Sequence, residues 1–287
     1  MSKNIMENIK KLRELTGVGF KDCKSALDET QGDIEKSIEL LRKKGIAKAS
    51  KKMSRTASEG LALVKEQDGN ISVIEINSET DFVAKNKDFI EFCKDLSDIN
   101  FDTKGNLEKL KSSKMSNGLL VEDNLTNLIA KIGEKITIRR TKFFENSVGK
   151  NFFYVHSAIE KNIGKIISVV KLDGVEIGKN EDLGNKIAMH IAASNPLAID
   201  KQDINEEIVN KEMEIIKAEI INSGKPKEMV EKISIGKINK FLSENSLLNQ
   251  AWIMDPQKKV SDVLKENSLK KSLKILDFVK FKVGEGV

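Results

Sequence analysis

The chain has few of the residues that mark catalytic, metal-binding or disulfide-bonded proteins. Two histidines and two cysteines occur among its 287 residues, and neither an HExxH helix nor a GxSxG turn is present. Cys23 and Cys93 lack a CxxC spacing and neighbouring histidines, which predicts buried, reduced thiols of a cytosolic protein. His156 and His190 fall in a predicted strand and an apolar helix, so both are expected to be structural imidazoles.

Nucleotide-binding fingerprints are also missing from the sequence. Gly224 and Lys225 are followed by Pro226, which cannot supply the Ser or Thr hydroxyl of a phosphate-binding loop. Gly17 and Gly19 lack the third glycine and the preceding strand of a dinucleotide site. These absences predict a binding protein that uses no cofactor and no metal, rather than an enzyme.

Long apolar runs and a strong excess of one charge are absent as well. Residues 1–11 alternate charged and apolar side chains, unlike the apolar centre of a signal peptide. The run at 166–170 is far shorter than the roughly 20 apolar residues that cross a bilayer. Lys and Arg number 49 against 44 for Asp and Glu, whereas nucleic-acid binding needs a clustered basic patch. We therefore expect a cytoplasmic protein that has no membrane partner and no specific nucleic-acid partner.

What is present is the pattern of a multi-domain α+β protein with a core of Ile, Leu and Val. Residues 1–45 predict a three-helix bundle that resembles ubiquitin-associated domains, with Asp33 capping the third helix and Gly45 ending it. Residues 46–58 are rich in Ala, Ser and Lys, which predicts a solvated linker, either extended or helical.

An antiparallel sheet with helices is predicted for residues 59–148. A hairpin turns at Asp68 and Gly69, a pair that strongly favours a tight turn between strands. Helices follow, and an alternating apolar pattern at 135–144 predicts the closing strand.

A second unit with the same order of elements is predicted for residues 149–200 and 246–287. Its hairpin is expected to turn at 161–164, and a helix and a late strand at 274–283 follow. Because the order hairpin, helix, strand occurs twice, the sequence predicts a duplicated core.

Residues 201–245 interrupt the second unit and predict an αα-hairpin that protrudes from it. Its helices carry apolar residues at coiled-coil spacing, namely Val209, Met213, Ile216 and Ile220, then Met229, Ile233, Phe241 and Leu242. A turn at 223–226 joins them. The hairpin either folds back on its own body or meets a partner surface.

The segment 78–86 joins a predicted strand to a predicted helix and carries an aromatic residue in its first turn. Thr80 or Asp81 is a good N-cap, so Phe82 is expected at the tip of the helix. The burial preference of aromatic residues favours packing of Phe82 against the preceding strand. The alternative is a presented wedge, held on the helix tip for insertion into another protein.

Seven motifs resemble those of the bacterial elongation factor Ts family, whose members exchange guanine nucleotides on elongation factor Tu. They lie at 12–24, 80–86, 131–134, 138–140, 190–193, 223–228 and 283–286. Each motif is weak alone, but their shared order along essentially the whole chain is specific. The resemblance reverses the preference at Phe82 and makes the segment 80–83 the predicted working edge.

The resemblance implies roles for individual residues. Thr80, Asp81, Phe82 and Val83 would disturb the Mg²⁺ and phosphate site of elongation factor Tu, so that GDP leaves and GTP can rebind. Further contacts to this partner are implied for Arg13, Gly19, Phe20, Lys24, Ile132, Gly133, His156, Ile253 and Met254. The αα-hairpin corresponds to the family's coiled-coil dimerisation region. Three alternatives therefore stay open for this hairpin: formation of a homodimer, packing on its own body, and contact with the partner.

Two departures from the family pattern are visible. Phe20 and Lys21 stand where some members carry Met-Met, so this patch keeps part of its apolar character. The sequence ends at Val287, where some members continue into a helix that touches the partner, and that contact is expected to be missing. An alternative function is a structural or RNA-associated module of the translation apparatus, which would use the basic linker and the αα-hairpin.

Overall fold

A computed structural model describes residues 3–16, 18–176, 180–223 and 226–287. Gly17, Gly224 and Lys225, which belong to two of the predicted turns, lie outside these ranges. The architecture is α+β, as predicted, with a helical bundle followed by antiparallel sheets and their helices. Within the ranges named above, none of the helices is both long enough and apolar enough to cross a membrane.

The N-terminal bundle is formed by α1 (Lys3–Thr16), α2 (Phe20–Glu29) and α3 (Ile34–Ser50). Asp33 caps α3 by accepting a hydrogen bond of 3.0 Å from the Lys36 amide, as predicted. The prediction that Gly45 ends this helix is wrong. An added Cβ at Gly45 would lie 3.5 Å from the Ala130 methyl, and Ala49 is buried in the core of the first sheet unit. Tertiary packing on both sides of Gly45 therefore carries α3 into the predicted linker.

The first sheet unit contains β1 (Glu59–Gln67), β2 (Asn70–Ser78), α4 (Asp81–Ala84), α5 (Lys87–Asp102), α6 (Leu107–Ser112), α7 (Val121–Ile132) and β3 (Ile136–Phe144). Strand β2 pairs antiparallel with β1 and with β3. Asp68 and Gly69 have φ values of +54° and +75°, the left-handed geometry of a tight hairpin turn. The predicted hairpin is thereby confirmed. Apolar residues of the sheet and of its helices share one core, which includes Leu61, Ile74 and Phe89.

The remaining elements are β4 (Lys150–His156), β5 (Ile163–Gly164), β6 (Ile166–Asp173), α8 (Glu181–Ser194), α9 (Glu206–Asn222), α10 (Lys227–Asn245), β7 (Ala251–Trp252), β8 (Asp255–Lys259), α11 (Val260–Glu266) and β9 (Lys274–Lys282). Strands β4, β6 and β9 form a sheet in that order. In this sheet and in the first, the late strand pairs with the second strand of the hairpin. The duplicated order of elements is therefore confirmed in the strand pairing.

The connection between β4 and β6 differs from the predicted short turn at 161–164. Ile163 and Gly164 form β5, which pairs with the middle of β1 and so belongs to the first sheet. A Cβ at Gly164 would lie 2.8 Å from the His156 carbonyl oxygen, so the absent side chain allows this close approach. The connection between β4 and β6 therefore joins the two sheets through the pairing of β5 with β1.

Helices α9 and α10 form the predicted αα-hairpin and pack against each other around Ile216, Ile220 and Ile238. This cluster is separate from the cores of the two sheet units. The prediction that Met229 lines the contact is wrong, because its side chain is 50% exposed. Val230 packs against the cluster in its place. The hairpin thus holds a small core of its own.

A buried carboxylate ties the first sheet to the turn after β9. Glu75 of β2 accepts hydrogen bonds from Arg139 (2.9 Å), Arg140 (2.5 Å) and the Gly284 amide (2.9 Å). Burial by itself raises the pKa of Glu75, but the Gly284 amide and the two guanidinium groups outweigh burial and hold that pKa below its ordinary value. The last turn is therefore fixed against the sheet that contains β2.

Candidate partner-binding edge

The segment after β2 presents one aromatic residue on a short, anchored helix. Helix α4 has a single turn, and α5 begins directly after it with Asn86 as its N-cap. Val83 and Ala84 are buried in the core of the first unit, whereas Phe82 is 78% exposed. The expectation from burial preferences that Phe82 packs inward is therefore wrong. Val83 takes the inward position of the turn, and neighbouring side chains of a helix diverge by about 100°.

Glu134 holds the start of this helix. Its Oε2 accepts a hydrogen bond of 3.0 Å from the Thr80 amide, and its Oε1 accepts one of 2.8 Å from the Thr80 hydroxyl. The Ser78 hydroxyl donates to the Thr80 carbonyl oxygen at 3.0 Å. Thr80 occupies the N-cap position of α4, and its side chain is committed to a residue distant in sequence.

Asp81 begins α4 and carries its charge at the surface. Lys85, one turn later, approaches the Asp81 carboxylate at 2.8 Å. This hydrogen bond holds the pKa of Asp81 below its ordinary value, so the carboxylate is ionised at neutral pH. Because both side chains are exposed, the pair contributes little to stability. Asp81 is therefore free to exchange Lys85 for a group on a partner.

A second carboxylate ties the tip to the segment before β1. Glu79 accepts a hydrogen bond of 2.6 Å from the Lys135 amide and pairs with Arg55 at 3.3 Å. The Lys135 ammonium in turn donates to the Arg55 carbonyl oxygen at 2.8 Å. The end of the predicted linker, the tip and the start of β3 therefore form one connected network.

Ile132 and Gly133 lie beside this network at the end of α7. Gly133 is the helix C-cap with φ of +91°, a left-handed conformation that glycine adopts without strain. Ile132 is half-buried against the core of the first unit. Since Glu134 follows directly, the structure brings two predicted contact segments, 80–83 and 132–133, together through one side chain.

Ile253 and Met254 form the exposed tip of the β7–β8 hairpin. His190, buried in α8, supports this tip, because its Nδ1 accepts a hydrogen bond of 3.4 Å from the Ile253 amide. Its Nε2 donates to Gln250 Oε1 at 3.0 Å, and its ring stacks on Trp252 with centroids 5.2 Å apart. Burial lowers the pKa of His190, while the Gln250 contact opposes that shift. The predicted structural role of His190 is confirmed.

His156 differs from His190, because it lies exposed at the end of β4. Its Nδ1 is 3.2 Å from the Tyr154 hydroxyl. This contact orients the ring while leaving Nε2 available at the surface. His156 is therefore accessible for the contact implied by the resemblance, rather than a buried imidazole.

The bundle holds four of the candidate residues. Arg13 lies on α1, Gly19 is the N-cap of α2, and Phe20 and Lys24 lie on α2. Arg13 and Phe20 line an apolar groove together with Met6 and Ile9. Phe20 also lines a second groove with Lys24. The described linings of both grooves come from the bundle alone and do not include Phe82.

Two residues important to this geometry were missed by the sequence analysis. Glu79 and Glu134 fix the tip by contacts with residues distant in sequence. Their only sequence signals were their positions in the segment 78–86 and in the motif 131–134. Across the described ranges, His, Cys, Asp and Glu side chains do not form a group of three that could hold a metal ion. The free cysteines Cys23 and Cys93 are buried, as predicted.

Comparison with known proteins gives a consistent result. The model of a family described as Elongation factor TS matches residues 79–285, which include every candidate residue outside the bundle. Elongation factor Ts of Xanthobacter autotrophicus is 43% identical over 283 residues, covering 97% of this chain and 92% of the relative. Elongation factor Ts of Rickettsia prowazekii is 42% identical over 284 residues, covering 97% and 91%. Elongation factor Ts of Methylobacterium nodulans is 42% identical over 284 residues, covering 97% and 92%.

Proposed function

The chain belongs to the elongation factor Ts family, and we propose that it is a guanine-nucleotide exchange factor for elongation factor Tu. It binds the GDP form of this partner, promotes release of GDP and leaves the site open for GTP. The observation that carries the proposal is the exposure of Phe82 beside the buried residues Val83 and Ala84. A large apolar side chain held in water by an anchored turn fits a residue that becomes buried in a partner.

Exchange of this kind needs binding and no catalytic acid or base. A protein that binds the nucleotide-free partner more tightly than the nucleotide-bound partner must weaken nucleotide binding by the same factor. Burying an exposed Phe side chain is worth about 1.5–3 kcal/mol. When this burial occurs only in the nucleotide-free complex, it corresponds to about 10- to 150-fold weaker nucleotide binding.

The target of the tip is the Mg²⁺ and phosphate site of the partner. Mg²⁺ is among the largest local charges in such a site, so displacement of its ligands loosens the phosphates. Phe82 acts as the wedge, and the ionised Asp81 brings a negative charge next to it. Thr80 and Val83 hold the wedge through Glu134 and through the core.

Further surfaces of the chain complete the proposed complex. The groove of Arg13 and Phe20 receives the partner's nucleotide-binding domain, with Gly19 and Lys24 beside it, and the surfaces at Ile132, Gly133, His156, Ile253 and Met254 supply the remaining contacts. The exchange takes place in the cytoplasm, with the translation machinery. Ile208 and Ile215 of α9 are exposed and lie about two turns apart, which suits the αα-hairpin to pairing with a second copy.

Stopped-flow release of fluorescently labelled GDP from elongation factor Tu tests the proposal. We expect the wild-type chain to accelerate release, and Phe82→Ala to reduce the stimulated rate by about 10-fold or more. Val148→Ala is the matched control, because Val148 is an exposed apolar residue in the connection between β3 and β4. A release rate that the wild-type chain leaves unchanged would contradict the function. Normal exchange by Phe82→Ala would contradict the role of Phe82 alone.

The rival function is RNA binding through the basic linker, where Arg55 pairs with Glu79. If RNA were the main partner, RNA affinity would fall steeply with salt concentration, and GDP release from elongation factor Tu would be the same with and without the chain. Measuring both quantities on one preparation separates the two functions.

A further inference from the structure

We propose that Glu134 is a positioning residue that sets the orientation of Phe82 and thereby the exchange activity. The proposal rests on the proposed function and goes beyond it, because Glu134 acts on a partner through the tip and not by its own contact. Its two carboxylate oxygens accept the amide and the hydroxyl hydrogen bonds of Thr80, at 3.0 and 2.8 Å. Glu134 itself is half-buried, so these bonds are partly shielded from water.

The geometry favours a carboxylate. Both groups of Thr80 donate, and an ionised carboxylate is the side chain that offers two acceptor oxygens and no donor. Glutamine at this position keeps one acceptor oxygen for the Thr80 amide and turns its NH₂ group toward the Thr80 hydroxyl, which must then accept instead of donate. Substitution of Glu134 by Gln therefore replaces two hydrogen bonds to a charged acceptor by weaker neutral ones at nearly constant size.

Helix α4 depends on this support because it is too short to hold its own shape. A single turn has the cost of helix nucleation without the gain of propagation. Two bonds close its C-terminal end, from the Lys85 amide to the Phe82 carbonyl oxygen (3.2 Å) and from the Asn86 amide to the Val83 carbonyl oxygen (2.9 Å). Val83 anchors the end of the turn in the core, and Glu134 anchors its beginning. Phe82 lies between the two anchors with its side chain in solvent.

The position of Glu134 also links two surfaces. It follows Gly133, the left-handed C-cap of α7, so its backbone moves with the segment 132–133. A partner that engages both this segment and Phe82 meets a surface whose two parts are already fixed relative to each other. Such preorganisation reduces the entropy lost on binding.

Two measurements test the proposal with Glu134→Gln, Thr80→Val and the control Thr80→Ser, which keeps both donors. The first is amide hydrogen exchange of residues 80–86 in the free chain. We expect exchange about 10-fold faster or more in Glu134→Gln and in Thr80→Val, and unchanged exchange in Thr80→Ser. Unchanged exchange in both Glu134→Gln and Thr80→Val would overturn the proposal without reference to any partner.

The second measurement is GDP release, with the maximal rate separated from the concentration for half-saturation. We expect Glu134→Gln to lower the maximal rate several-fold and to have no further effect in a Phe82→Ala background. An equal loss in both backgrounds would mean that Glu134 acts independently of Phe82, and would overturn the proposal. Failure of the wild-type chain to accelerate release would overturn the proposed function and the effect of Glu134 on activity. Hydrogen exchange would still decide whether Glu134 orders the tip.

Discussion

Replacement of Glu75 by Gln is expected to destabilise the whole molecule, although Glu75 lies in β2 and outside the segment 80–83. The Glu75 side chain is 0% exposed. It accepts hydrogen bonds from Arg139, Arg140 and the Gly284 amide, and one of 3.1 Å from the Asn77 side chain. A neutral amide keeps one acceptor oxygen for these four donors and leaves two guanidinium groups without their counter-charge.

The magnitude follows from the burial of the partners. Breaking a fully buried ion pair by removal of one partner costs about 3–5 kcal/mol. Arg139 and Arg140 remain 22% and 32% exposed, so water can solvate them in part and the lower end applies. A loss of about 3 kcal/mol corresponds to a fall in Tm of about 6–12 °C at 2–4 °C per kcal/mol.

The assay is thermal unfolding followed by circular dichroism, with Asp98→Asn as the control. Asp98 pairs with Lys65 at 2.8 Å but is 66% exposed, so its replacement should change stability by less than about 0.5 kcal/mol. If Glu75→Gln melts within about 1 °C of the wild type, the reasoning about this buried carboxylate is refuted.

The pH dependence of the same variant gives a second check with a defined sign. The pKa of Glu75 in the folded chain lies below its ordinary value, which is about 4.3 in an unfolded chain. The carboxylate therefore contributes its full stabilisation above the unfolded pKa and loses it as pH falls through the folded pKa. The Tm difference between wild type and Glu75→Gln should be constant from about pH 8 to about pH 5 and should shrink below about pH 4.

Two further predictions concern neighbouring positions with opposite environments. Val83→Ala should lower the free energy of unfolding by about 2 kcal/mol, because it removes buried methyl groups from the core. Phe82→Ala should leave Tm within about 2 °C of the wild type, because its side chain is exposed. Equal losses of stability in the two variants would show that Phe82 is packed. Gly284→Ala should destabilise far more than Gly286→Ala, since both have φ above +70° but a Cβ at Gly284 would lie 1.9 Å from the Ser58 carbonyl oxygen. Chemical denaturation of the pair measures this difference, and similar midpoints would contradict it.

The elements that could be predicted from the sequence are those whose signals are local. The Asp68 and Gly69 pair fixes a tight hairpin through its own backbone preferences, and the alternating pattern of β9 needs no knowledge of its neighbours. The buried face of α8 could also be predicted, because Ile187, His190 and Ile191 recur at helical spacing. All three are buried in the structure. Period and turn chemistry are properties of short segments, so they survive without tertiary information.

The errors lie where distant contacts decide the outcome. Gly45 is a good helix end by itself, but packing near Ala130 continues the helix. Ile163 and Gly164 form a strand because β1 offers its edge, and they carry little strand signal of their own. Strand β8 was not predicted either, because its polar sequence at 255–259 carries little strand signal.

The candidate site shows the same division between local and distant information. Motif resemblance located Phe82, whereas the general burial preference of aromatic residues placed it on the wrong side of the turn. Glu134 and Thr80 are 54 residues apart. No sequence pattern around a carboxylate in a predicted loop indicates which distant groups will donate hydrogen bonds to it. The residues that present a side chain are therefore harder to find than the side chain itself.

The contact between Glu75 and Gly284 imposes an order on folding during synthesis. The two residues are separated by 209 positions, which a ribosome adding about 5–20 residues per second needs about 10–40 s to translate. During this interval β1, β2 and β3 can pair, but the last donor to the Glu75 carboxylate has not been made. The second sheet stays incomplete for as long, because β9, which pairs with β6, follows the αα-hairpin in the chain. The bond between Glu75 and Gly284 and the pairing of β6 with β9 therefore both form late, after residues 274–284 have been translated.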